Sequence, residues 1–300
     1  MDINFSFKKN YQKLKEIIIK VYEHLGDPYY QGSAATIAYF LFLSILPTIV
    51  LASQALGLFS LSIDTILRWA EINVSGSGFE MIQSLLRHRS TGTNNLILII
   101  IVMWAASRAN IYLIRLTNYT LFDGHIMGKG YIRDRLKSLI TVFAAIAVMT
   151  LSVVVLVYIP VFLRKAFAAN EITEAIGNVW LALRWLVVLG LYFLVISVVF
   201  YSLPSWRVPY TDIIPGSLFT SAGFIVVSYA FNFYVNLSTN YDILYGSFAN
   251  AVAIIIWFWI LGWVIVLGII FNRVWWDVRS KNRIPIPEEV VAKRNPLGFF

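Results

Sequence analysis

Residues 247–271 read SFANAVAIIIWFWILGWVIVLGIIF, without one charged side chain. At 1.5 Å per residue a helix of that length runs about 37 Å, enough to cross the roughly 30 Å hydrocarbon core of a bilayer. Five more segments have the same character: 34–57, 95–116, 139–163, 179–203 and 213–235. The whole chain of 300 residues is 59% hydrophobic and 13% charged, with a mean hydropathy of +0.72. Soluble globular domains hold about 45–50% apolar and about 25% charged residues. So much apolar surface does not fit inside a water-soluble core, and lipid must cover the excess. Disorder, a disulfide scaffold and a soluble enzyme are excluded. The expected fold is all-α, a polytopic membrane protein with six transmembrane helices over residues 32–272.

The segments outside the spans set the rest of the plan. Residues 1–25 are charged throughout and lack an apolar core, so a signal peptide is not expected there. Leu14, Ile17, Ile18, Val21 and Leu25 recur at helical spacing among Lys13, Lys15, Glu16, Lys20 and Glu23. This predicts a basic amphipathic helix at the membrane interface or against the bundle. Residues 58–94 are too polar to span, and their helical periodicity on both sides of Ser75–Ser77 predicts short amphipathic helices capping the outer face. Residues 273–300 form a cytoplasmic tail, opened by an interfacial anchor at Trp275 and Trp276. Of the 24 Lys and Arg, 16 fall on the side of the termini and five on the other, the remaining three lying in or at the spans. That bias predicts a multi-pass protein of the cytoplasmic membrane with both termini cytoplasmic. The net charge of +8 is accounted for by cytoplasmic loops and anionic headgroups rather than nucleic acid.

Chemistry has little to work with. Cysteine is absent, and His24, His88 and His125 are scattered through polar segments, so no catalytic centre, metal site or cofactor is expected. The notable groups are ionisable residues inside the spans, which are costly there. The six spans hold no Asp or Glu, but they hold Arg108 and Arg184. Each guanidinium either snorkels to the nearer headgroup layer or faces a polar cavity and binds an anion such as a lipid phosphate. Tyr39, Ser44, Asn118 and Asn250 are candidates for the same cavity. Pro47 bends the first span, while Pro215 and Gly216 open the fifth at a face of small residues suited to bending or close helix contact.

Several stretches, taken in order, carry a resemblance. They are ATIAYFLFLSILP at 35–47, Ser107-Arg108 through Asn118-Tyr119, Tyr201-Ser202-Leu203-Pro204 before Pro215-Gly216, Tyr245-Gly246-Ser247-Phe248 with Trp257, and Gly268-Ile269-Ile270-Phe271-Asn272. From residue 32 to 272 the chain resembles the YihY/virulence factor BrkB family, formerly mislabelled ribonuclease BN. One position departs from the pattern: Ile270 stands where the family usually has Glu. The resemblance implies six helices, the bacterial cytoplasmic membrane, envelope integrity and, for some members, movement of lipid-linked envelope components. Two functions are carried forward. One is a transporter or flippase of an anionic amphiphile, with membrane lipids as partners. The other is a non-transporting scaffold for envelope-biogenesis proteins, and the oligomeric state stays open in both.

Overall fold

The computed structural model describes residues 2–58, 93–125, 127–158, 172–206, 208–237 and 242–280, together with Asp64, Leu67, Arg68, Glu71 and Gln83. Every regular element among the described residues is helical. In chain order they are α1 (Asp2–Leu25), α2 (Pro28–Leu58), α3 (Thr93–Leu121), α4 (Tyr131–Val153) continued by a π-helical turn (Val154–Tyr158), α5 (Ile172–Ser202), α6 (Ile214–Leu237) and α7 (Asp242–Ser280), with a 3-10 turn (Tyr210–Asp212) before α6. Each of the six apolar segments of the sequence falls, over most of its described residues, on one of α2 to α7. Three stretches among the described residues, Tyr131–Leu156, Ile214–Tyr234 and Val252–Arg279, are long and apolar enough to cross a membrane. The chain is a membrane protein whose described residues are almost entirely helical. The outer-face helices expected over 58–94 and the tail beyond Ser280 lie almost wholly outside the described residues.

Local chemistry explains the helix ends. Asp27 caps α2: its Oδ1 accepts from the Tyr29 N–H at 2.9 Å, and Pro28 follows at the first helical position, where a missing N–H costs nothing. α3 stops at a left-handed pair, Asp123 (φ 48°) and Gly124 (φ 78°), with the Gly124 N–H returned to the Tyr119 carbonyl at 2.9 Å. α4 begins after Gly130 (φ 117°), and the Asp134 carboxylate in its first turn reaches back to the Lys129 N–H at 3.3 Å.

The chain forms two compact units. The first comprises Met1–Tyr39, Ile111–Leu136 and Phe200–Phe300, and the second Phe40–Asn110 and Lys137–Val199. Within the first, α6 and α7 pack extensively and α1 lies along α7. Small residues permit the α6–α7 approach: a Cβ on Gly216 would strike the Gly268 carbonyl, and a Cβ on Gly268 would strike the Thr220 hydroxyl. Phe219 and Phe271 stack beside them, ring centroids 5.6 Å apart. Gly262 meets the α2 backbone at Ala34 in the same manner.

The single apolar face expected for the N-terminal helix is divided. Ile17 is buried and Ile18 points outward, because neighbours in a helix stand about 100° apart.

Candidate functional site

The first unit gathers most of the motif segments at one set of helix ends. Asn118, fully buried near the end of α3, ties two connections together. Its Oδ1 accepts from the Ser205 N–H at 2.9 Å, and its Nδ2 donates to the Ser205 hydroxyl at 2.7 Å and to the Met127 carbonyl at 3.3 Å. An asparagine alone offers both an acceptor and two donors at this size. Phe122 meets Trp206 edge-on at 5.0 Å, and the Lys129 ammonium sits 4.6 Å above the Trp206 ring. The α3–α4 and α5–α6 connections are thus clamped through one amide and one indole. Replacing Asn118 with Leu strands the half-buried Ser205 N–H and the Met127 carbonyl, at no more than about 1 kcal/mol each because water reaches both. Amide hydrogen exchange in peptides covering both connections is expected to rise tenfold or more. Unchanged exchange there would remove Asn118 as the clamp.

Around the clamp lies a tyrosine and carboxylate cluster. The Tyr119 hydroxyl donates to Asp27 Oδ2 at 2.7 Å and the Tyr119 ring stacks on Tyr29 at 4.0 Å, so the cap of α2 is also a contact with α3. That hydrogen bond to a carboxylate pushes the Tyr119 pKa up to about 12, which keeps the phenol a donor. Burial raises Tyr30 to about 12 as well, and its hydroxyl donates to Thr120 at 3.2 Å. Asn272 on α7 accepts the Gly216 N–H at 2.6 Å, satisfying a free donor in the first turn of α6. Thr117, Leu203, Pro204, Asp212, Asn272 and Trp276 line a cleft of about 20 Å³. That is room for one water molecule. Arg279 reaches Asp212 at 3.3 Å.

Arg273 is the most deeply buried charged side chain among the described residues of this unit, 2% exposed. Its guanidinium lies 3.3 Å from Asp123 Oδ2, on the left-handed residue that ends α3, and 3.1 Å from Asp277 Oδ1 one turn along α7. The Asp277 contact is close enough for an ion pair, but its geometry misses a hydrogen bond. Sequence reasoning missed this residue, since an arginine beside Trp275 and Trp276 reads as an interfacial anchor.

The second unit holds the other candidate. The Ser138 hydroxyl donates to the Ser107 carbonyl at 2.7 Å and stands 3.0 Å from the Ser107 hydroxyl, while Asn110 Nδ2 donates to the Ser138 carbonyl at 3.1 Å. These bonds fix the face that α3 turns to α4. Arg108, one residue on from Ser107, is exposed, and none of the described residues pairs with it.

The residues singled out in the sequence are therefore dispersed. Asn118 is at the clamp, and Pro215 and Gly216 are at the α6–α7 contact beside it. Tyr39 is 59% exposed on α2, and Arg108 is exposed on α3. The side chains of Arg184, Ser44, Pro47 and Asn250 lie outside the described residues. Ile270, in the position that departs from the family pattern, is fully buried on α7. No three His, Asp or Glu side chains among the described residues gather as a metal site would require.

A family model described as Virulence factor BrkB matches residues 21–292. The chain is 29% identical over 262 residues to ribonuclease-like protein YfkH of Bacillus subtilis (strain 168), covering 85% of this chain and 92% of that one. Over 84 residues it is 36% identical to a UPF0761 membrane protein of Pseudomonas paraeruginosa, covering 26% of this chain and 20% of the other. No solved structure matches it.

Proposed function

The chain belongs to the virulence factor BrkB family, and on that premise we propose that it moves an anionic amphiphile, a lipid or lipid-linked envelope precursor, across the bacterial cytoplasmic membrane. In this reading α2 to α7 are six spans, both termini are cytoplasmic, α1 lies at the interface, and residues 58–94 cap the outer face. Envelope-biogenesis proteins are its natural neighbours.

One observation carries the reading: Arg108, midway along a predominantly apolar helix, is exposed and has no acidic partner among the described residues. An arginine at the centre of a transmembrane helix costs about 2.5–3.5 kcal/mol on insertion scales. A phosphate headgroup offsets that cost, because two parallel N–H donors match two phosphate oxygens. The bonds of Ser107 and Asn110 to Ser138 support this, since they hold α3 in the rotation that turns Arg108 outward. A bare guanidinium selects an anion over a cation.

The test is movement of fluorescent anionic phospholipids between the leaflets of reconstituted vesicles. The wild-type chain is expected to exceed protein-free vesicles. Arg108→Ala should lose tenfold or more in rate at equal levels of folded protein, with Arg108→Lys intermediate because a point charge lacks the bidentate fit. Wild-type rates equal to those of empty vesicles, for phosphatidylglycerol and for a lipid-linked precursor alike, would overturn transport and leave the scaffold.

A further inference from the structure

α1 carries two apolar faces. The inner one, with Ile17 buried and Val21, His24 and Leu25 half-buried, belongs to the helix that lies along α7. The outer one is bare: Ile18 is 60% exposed, Ile19 46% and Tyr22 78%. At about 100° per residue, Ile18, Tyr22, Lys15 and Ile19 fill one arc on the side of the helix away from Ile17. The acidic residues of that stretch, Glu16 and Glu23, fall outside this arc, and Glu16 is held by Lys20 at 2.9 Å. The sequence of α1 as a whole carries five Lys against Asp2, Glu16 and Glu23.

Position narrows the occupant. Only Gly26 and Asp27 separate α1 from α2, and Asp27 both caps α2 and holds Tyr119. Tyr22 therefore lies about one helical turn from the connection to an apolar helix, at the depth where a span meets the headgroups. A half-apolar arc centred on a lysine suits that layer, where apolar side chains enter the acyl boundary and the ammonium meets lipid phosphates.

We propose that the Ile18, Ile19 and Tyr22 arc of α1, centred on Lys15, seats in the headgroup layer of an anionic leaflet. The proposal rests on the interfacial position of α1 in the reading above and is independent of transport. Because the chain has no cysteine, Tyr22→Cys and Glu23→Cys each carry a single environment-sensitive fluorophore. Both are reconstituted in phosphatidylcholine vesicles with and without phosphatidylglycerol in both leaflets. On adding phosphatidylglycerol the label at 22 is expected to shift to the blue and lose several-fold in acrylamide quenching, while the label at 23 stays accessible. High salt should reverse part of the shift. Ile18→Cys tests the same arc should Tyr22→Cys fail to fold. Equal quenching at 22 and 23 in anionic vesicles overturns the assignment. So does a shift that ignores phosphatidylglycerol, which is apolar partition without charge recognition, or one that grows with protein density, which assigns the face to a second copy. An unchanged shift in Arg108→Ala, with lipid movement lost, separates this proposal from transport.

Discussion

Gly268→Leu is expected to abolish accumulation of folded protein, and Gly268→Ala to lower stability by about 2–3 kcal/mol, near the top of the range for overpacked interiors. A Cβ at this position would land on the Thr220 hydroxyl, which is fully buried. It would also lie 3.1 Å from the Gly216 carbonyl and 3.2 Å from Phe200 Cε2. Two of the three obstacles could yield by side-chain motion. The Gly216 carbonyl cannot, because it sits in the first turn of α6, whose N–H is anchored by Asn272. Association of helices in lipid depends on close packing more than on expulsion of water, so lost contact is not recovered elsewhere. Thermal unfolding of detergent-purified protein, read by size-exclusion fluorescence, gives the measurement. Thr220→Ala in the Gly268→Ala background should recover part of the loss, since it removes the atom most directly in the way. A Gly268→Leu protein that melts like the parent would refute the α6–α7 contact.

The helices were legible because hydropathy is a property of each segment alone. Lipid asks only for length and apolarity, and the stretches Tyr131–Leu156, Ile214–Tyr234 and Val252–Arg279 satisfy both by inspection. Rotation about each axis was not legible, since it depends on partners far along the chain. Ile17 and Ile18 share one apolar run, and only the position of α7 decides which of them is buried. Asn118 and Asn272 stood out as members of motifs, yet nothing local shows that one clamps two connections and the other holds the Gly216 N–H. Arg273 was the least visible. Its hydropathy and its tryptophan neighbours describe a snorkelling side chain, and its counter-charge is Asp123, 150 residues earlier. A left-handed turn at the end of α3 carries that carboxylate to it, and a backbone angle of that kind leaves only a faint trace as an Asp-Gly pair.

Arg273→Gln should destabilise the first unit by about 3 kcal/mol, the lower end for removing one partner of a buried ion pair. The direction follows from what remains. Asp277, with its side chain 20% exposed, would lose the cation beside it, and Asp123 would lose the charge that holds the end of α3. The lower end applies because the Asp123 side chain is 42% exposed and water can take over part of the compensation. Geometry sharpens the expectation further. The contacts to Asp123 are long, at 3.3 and 3.4 Å, and the Asp277 contact is not aligned as a hydrogen bond. The cluster therefore works through charge more than through the guanidinium fork, and Arg273→Lys should retain more than half of the stability that Arg273→Gln loses. Combining Arg273→Gln with Asp123→Asn should cost less than the separate losses added together, by about 1 kcal/mol, as expected for residues in contact. A second readout is local: a cysteine placed at the exposed Met127 should react faster with a maleimide in Arg273→Gln than in the parent, because the α3–α4 connection is no longer tied to α7. If melting and labelling both match the parent, the buried arginine is a passenger at the end of α7 and Asn118 alone holds that connection.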